Sequence, residues 1–178
     1  HEMGHAIHAD RSKTQPVLYR GHSVVTAETA STFFESLVGY RLYQHAPASL
    51  QMQFLDNMIG EKMDTMIMCI ARFSAELEIH NTIRKEGAMS WQSMAAMLAK
   101  HFRQFCGPAI TISDDDGLSV VSKVHYRMNF YQYTYSFGNI ASGIMLQRYL
   151  NDPNYSKKVD DFLRAGADQH ELCSTLDA

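Results

Sequence analysis

The chain opens HEMGHAIHAD, and the spacing of its first two histidines constrains the local fold more than any other feature. His1 and His5 are four residues apart. On an α-helix, positions four apart lie one above the other on the same face, so two imidazoles there can share one metal ion. Glu2 sits one position on, where a carboxylate can reach water at that ion and act as its general base. The bland alternative is a helix that happens to carry two histidines near its surface.

A third ligand separates the two. The motif that extends this helix with a further histidine needs Gly at position 8 and His at position 11, and this chain has His8 and Arg11 there. The other arrangement draws a Glu from a following helix. Glu28 stands in such a helix, in the stretch TAETASTFFES. Zinc accepts carboxylate oxygen as well as imidazole nitrogen, so His1, His5 and Glu28 would hold one Zn²⁺ and leave a fourth position open. Glu35 falls seven residues past Glu28, two turns along the same face, where it could accept the second ring N–H of His1 or His5 and fix its tautomer. Read blandly, Glu28 and Glu35 are ordinary helix carboxylates.

The rest of the chain reads as all-α. Helical spacing recurs from Val24 to about residue 44, with Ala27, Ala30, Phe34, Leu37 and Val38 near one stripe. A long Met-rich helical segment follows, from about residue 49 to residue 86, closed by Gly87. The eleven methionines are expected to fill core gaps. Ser90 should cap the next helix, which Gly107-Pro108 ends. Between Thr14 and His22, Pro16 and Gly21 interrupt the helical pattern and Val17-Leu18-Tyr19 favours extension, so a short β element or extended loop is expected near residues 16–20. SDDDG at 113–117 lacks the ligand pattern of a calcium loop and reads as a solvated acidic turn. Asn151-Asp152-Pro153 makes a turn, after which two short helices are expected to finish the chain.

Composition narrows the function classes. With 46% apolar and 20% charged residues, the 178-residue chain is an ordinary globular sequence. Its net charge of −3 offers no case for nucleic-acid binding. No run of about 18 apolar residues suggests a membrane span. Cys69, Cys106 and Cys173 are odd in number and widely spaced, which suits reduced thiols and a cytoplasmic setting.

HEMGHAIH followed by AETASTFFE resembles the oligoendopeptidase F and thimet oligopeptidase family of zinc peptidases. Gly4, His8 and Gly21 fit its HExGHxxH helix and the glycine-bearing segment after it, and Glu35 fits at seven past the ligand. Nearer the far end, VHYRMNFYQYTYSFG resembles the oligoendopeptidase F pattern HFYxNFYxYQYxxG. The resemblance implies that His125 binds substrate, that Tyr131 hydrogen-bonds the tetrahedral oxyanion, and that Tyr135 makes a further substrate contact. Tyr133 and Tyr126 remain open as alternatives, because the thimet branch spaces its tyrosines differently. A neutral phenol can donate to a developing oxyanion without adding a charge that competes with zinc.

The resemblance runs from His1 to about Gly166. Members of that family are several hundred residues long, so residues 1–178 look like the C-terminal catalytic portion, with the N-terminal helical region absent. The implied activity is metal-assisted hydrolysis of short peptides, with Glu2 as base. The fragment alone is expected to be weakly active or inactive, and to form a homo-oligomer through the apolar face left by the missing region. The competing reading is a helical interaction module without catalysis, either metal-stabilised or metal-free.

Overall fold

Which residues become helical follows largely from caps and breakers. The computed structural model of the chain describes residues 1–128 and 130–166. The helices are α1 (Glu2–Arg11), α2 (Val24–His45), α3 (Ala48–Lys62), α4 (Cys69–Glu86), α5 (Trp91–Cys106), the short α6 (Ser119–Ser122), α7 (Tyr133–Asn151) and α8 (Tyr155–Arg164). The Ser23 and Ser90 hydroxyls accept the N–H of Thr26 and Ser93 at the starts of α2 and α5. Gly87 and Gly107 end α4 and α5 with φ of 92° and 65°, values that L side chains rarely adopt. In the acidic turn, Asp116 accepts the N–H and O–H of Ser113. No described helix is long and apolar enough to cross a membrane.

The all-α expectation holds, and no strand occurs among the described residues. Where a β element was expected, Val17–Tyr19 forms a 3₁₀ turn closed by the Tyr19 N–H on the Pro16 carbonyl. Proline supplies the φ that starts such a turn, and local turn chemistry overrides the extended preference of Val17 and Tyr19. The long segment expected from about 49 to 86 is divided by a π-helical stretch, Met63–Met68. The second closing helix falls, with Cys173, outside the described residues.

The chain divides into two compact units, residues 1–60 with 137–178, and residues 61–136. In the first, Ala30, Phe33, Met145, Tyr155, Val159, Phe162 and Leu163 form the buried core, with Ile7 and Phe34 packed against it. In the second, Ala71, Ala75, Leu98 and Phe102 do so, with Met68, Ile112, Val120 and Tyr126 against them. Among the described methionines Met145 alone is fully buried and most of the others are partly buried, while Met3 and Met52 are 70% and 76% exposed.

The stripe expected to bury α2 is only part of what is buried: Ala30 is in the core and Phe34 and Leu37 pack against it. Val38 is exposed, whereas Thr26, Glu28, Thr29, Ala30, Ser31, Thr32 and Phe33 are all buried. Seven of eight consecutive positions cannot lie on one stripe, so the first half of α2 is enclosed all round. Small side chains on its neighbours make that possible. A Cβ on Gly4 of α1 would lie 2.6 Å from the Ser31 Cα, and one on Gly138 of α7 would lie 3.1 Å from the Glu28 carbonyl carbon. The first is a clash and the second a tight contact, and rotating a side chain relieves neither, because both neighbours are backbone.

Gly4→Ala is therefore expected to push α1 off α2 and to cost about 1–3 kcal/mol, the range for overpacking a tight interior. Gly60→Ala in α3 supplies the contrast. Its added Cβ meets nothing within 4 Å. It should stabilise by up to about 1 kcal/mol through helix propensity. Urea denaturation of both variants checks the pair of signs.

Candidate metal centre and aromatic cluster

The close approach of α1 and α2 brings His1 and His5 over Glu28. The His1 carbonyl accepts the N–H groups of Gly4 and His5, so residues 1–5 make one helical turn and both imidazoles project from one face. Ligand atoms of His1, His5 and Glu28 all lie within 4.8 Å of one another. Glu28 Oε2 is 3.3 Å from His1 Nε2 and 3.8 Å from His5 Nε2. Two ligands at about 2.0–2.1 Å from a tetrahedral zinc stand about 3.3 Å apart, so the trio fits such an ion with small adjustment.

The surroundings of the trio favour the same use. Glu28 is 3% exposed, and the His1 and His5 imidazoles and the Ser31 hydroxyl face it. Glu35 Oε2 lies 2.6 Å from His1 Nδ1. One nitrogen of the ring thus faces the trio and the other meets a carboxylate, the arrangement that fixes tautomer and orientation in metal-ligating histidines. Glu2 lies exposed in the first turn of α1 beside the trio.

Electrostatics add a testable consequence. Without metal, hydrogen bonds to Glu28 and then Glu35 push His1 up to about 10, against the opposing effect of burial. The protonated ring stabilises the metal-free fold fully below the ordinary imidazole range, and that contribution is lost as pH rises through about 10. Ligation needs the neutral ring, so a metal must displace this proton at neutral pH. Zinc affinity should therefore rise about tenfold per pH unit between about pH 7 and 9. Chelator-competition titrations across that range check the slope; a flat profile would contradict it.

Beneath the trio, His8 is 1% exposed and stacks on His22 with ring centroids 3.7 Å apart, and Phe162 covers it on α8. Burial, then the His22 and His5 charges, pushes His8 down to about 4, and burial lowers His22 as well. Both rings are neutral at pH 7 and serve as packing that ties residue 22 to α1.

His125, Tyr131 and Tyr135 meet in the second unit. Ring centroids are 5.3 Å apart for His125 and Tyr131, and 5.4 Å for Tyr131 and Tyr135. The Tyr135 hydroxyl lies 3.2 Å from His125 Nε2. Tyr133 stays apart from this trio, half exposed, with its ring 5.8 Å from Phe73. Tyr126 turns its hydroxyl into the protein interior, where burial pushes its pKa up. Of the open registers, the described geometry groups Tyr131 and Tyr135 with His125.

Sequence reasoning passed over Gly138 beneath Glu28, His22 on His8, and two contacts that hold the aromatic cluster. The Ser136 hydroxyl donates to the carbonyls of Thr65 and Met66 in the π-helical stretch, at 3.3 and 3.0 Å. Glu76 Oε1 accepts the Phe130 N–H at 3.1 Å. A carboxylate among Phe73, Ala75 and Ile79 was the signal that could have singled out Glu76.

Comparison with known proteins agrees with this picture. The sequence model of Peptidase family M3 matches residues 1–172. The chain is 27% identical over 177 residues to oligopeptidase PepF of Bacillus subtilis (strain 168), covering 97% of this chain and 26% of that protein. It thus spans about a quarter of the length of that relative. No solved structure matches.

Proposed function

This chain belongs to peptidase family M3, and on that footing we propose that it carries the zinc-dependent chemistry of an oligopeptidase acting on short peptides. The observation that carries the reading is the convergence of His1, His5 and buried Glu28, with Glu35 behind His1. A zinc ion held by that trio supplies Lewis-acid activation of water near neutral pH. Glu2 takes a proton from the attacking water and passes it to the leaving amine, so the carboxylate ends the cycle as it began. Tyr131 donates its phenol O–H to the substrate oxygen on which charge develops. Tyr135, bonded to His125, orients the imidazole that anchors substrate backbone.

A quenched short-peptide assay tests the reading. Hydrolysis should disappear when zinc is stripped by a chelator and return with one equivalent of added zinc. Hydrolysis indifferent to chelation would contradict the reading. A chain that takes up one zinc and cleaves nothing would instead be a metal-stabilised helical module.

A further inference from the structure

In the second unit, the turn that leads into Tyr131 is built against its own backbone preference. Phe130 has a φ of 61°, and among the described residues it is the sole non-glycine with positive φ. That region is costly for a bulky aromatic residue and persists where surrounding contacts over-determine it. Here the contacts come from one face of α4. Phe73, Glu76 and His80 fall at i, i+3 and i+7, on a single helical stripe. The Phe73 and His80 rings lie 5.9 and 5.0 Å from the Phe130 ring. Between them, the Glu76 carboxylate receives the Phe130 N–H.

Glu76 is otherwise unexplained. It is 2% exposed, and its Oε2 has no hydrogen-bond partner. It stands one helical turn past the Arg72 guanidinium, which pairs instead with Asp64 at 2.7 Å. Burial raises its pKa, and the hydrogen bond it makes among the described residues is the one it accepts from the Phe130 N–H.

We propose that Glu76 is a positioning residue: by holding the Phe130 N–H it fixes the left-handed turn that presents Tyr131 beside His125. The inference rests on the substrate-facing role given above to Tyr131 and His125. Loss of the acceptor frees Phe130 to relax to negative φ, which re-aims the next residue, Tyr131, without touching any metal ligand. The effect falls on kcat more than on KM, because a donor to developing charge acts in the transition state.

Three variants of the full chain test this: Glu76→Ala, Glu76→Gln and Phe130→Pro. Glu76→Ala should lower kcat about tenfold or more with KM nearly unchanged and zinc content at the wild-type level. Glu76→Gln keeps a carbonyl acceptor and should restore most of that loss. Phe130→Pro removes the donated N–H and fixes φ at about −65° without altering the carboxylate. It should also lower kcat, which keeps the test open if Glu76→Ala folds poorly. By NMR, exchange of the Phe130 amide should speed up about tenfold or more in Glu76→Ala and stay slow in Glu76→Gln. Wild-type kcat in Glu76→Ala, or unchanged Phe130 exchange, would overturn the proposal. Glu76→Gln as impaired as Glu76→Ala would overturn the acceptor role. A wild-type chain with no chelator-sensitive hydrolysis would fail the functional reading instead, while the exchange data still decide whether Glu76 holds the turn.

Discussion

Replacing Glu2 by glutamine is expected to lower kcat/KM by about 10²–10⁴-fold, the range for removing a general base, while zinc content stays at the wild-type level. The amide matches the carboxylate in shape but cannot take a proton from water. Glu2 lies outside the ligand trio and is exposed in the first turn of α1. Losing one exposed charge costs about 0.5 kcal/mol or less, too little to unfold the site. Turnover close to wild type in Glu2→Gln would remove Glu2 from the chemistry. Loss of turnover together with loss of zinc would show that the substitution had damaged the site rather than the base.

The second large effect concerns the metal itself. Glu28→Gln should weaken zinc binding by more than about 100-fold, beyond the 10–100-fold usual for a partner that merely orients a ligand. Glu35→Ala should fall within that lesser range, because Glu35 touches His1 through Nδ1, the nitrogen turned away from the trio. The ranking follows from position. Glu28 is buried where α1, α2 and α7 come within backbone contact of one another, whereas Glu35 is partly open to solvent. Chelator competition at fixed pH measures both. Equal losses for the two variants would contradict the division between ligand and orienting carboxylate.

Much of this was legible in the chain, for identifiable reasons. Metal-ligand spacing is local, so His1, His5 and Glu2 could be read from a single helical turn, and Glu28 from the chemistry of the open ligand position. Ser90 and Gly87 bounded their helices because caps are local too. Burial was harder. The stripe through Ala27 and Val38 follows from hydrophobicity, but α2 is enclosed by close backbone contacts through Gly4 and Gly138, and those depend on partners distant in sequence. Thr26, Ser31 and Thr32 are buried there because small side chains fit, whatever their polarity.

The turn before Tyr131 was hidden for a related reason. Its geometry depends on Glu76, 54 residues away along the chain. No local pattern marks Phe130 for positive φ, since the residues that favour it are Gly and Asn. The family resemblance pointed to Tyr131 and Tyr135 and left Tyr133 and Tyr126 open, and the rings of Tyr131 and Tyr135 lie beside His125.

The most direct test of the central claim is zinc K-edge absorption of the chain loaded with one equivalent of metal. The predicted spectrum shows a low-coordinate ion with two imidazole ligands and oxygen in the remaining positions, and it loses its ordered shell in Glu28→Gln. Sulfur scattering from cysteine, or a six-oxygen shell without imidazole, would contradict a metal centre built from His1, His5 and Glu28.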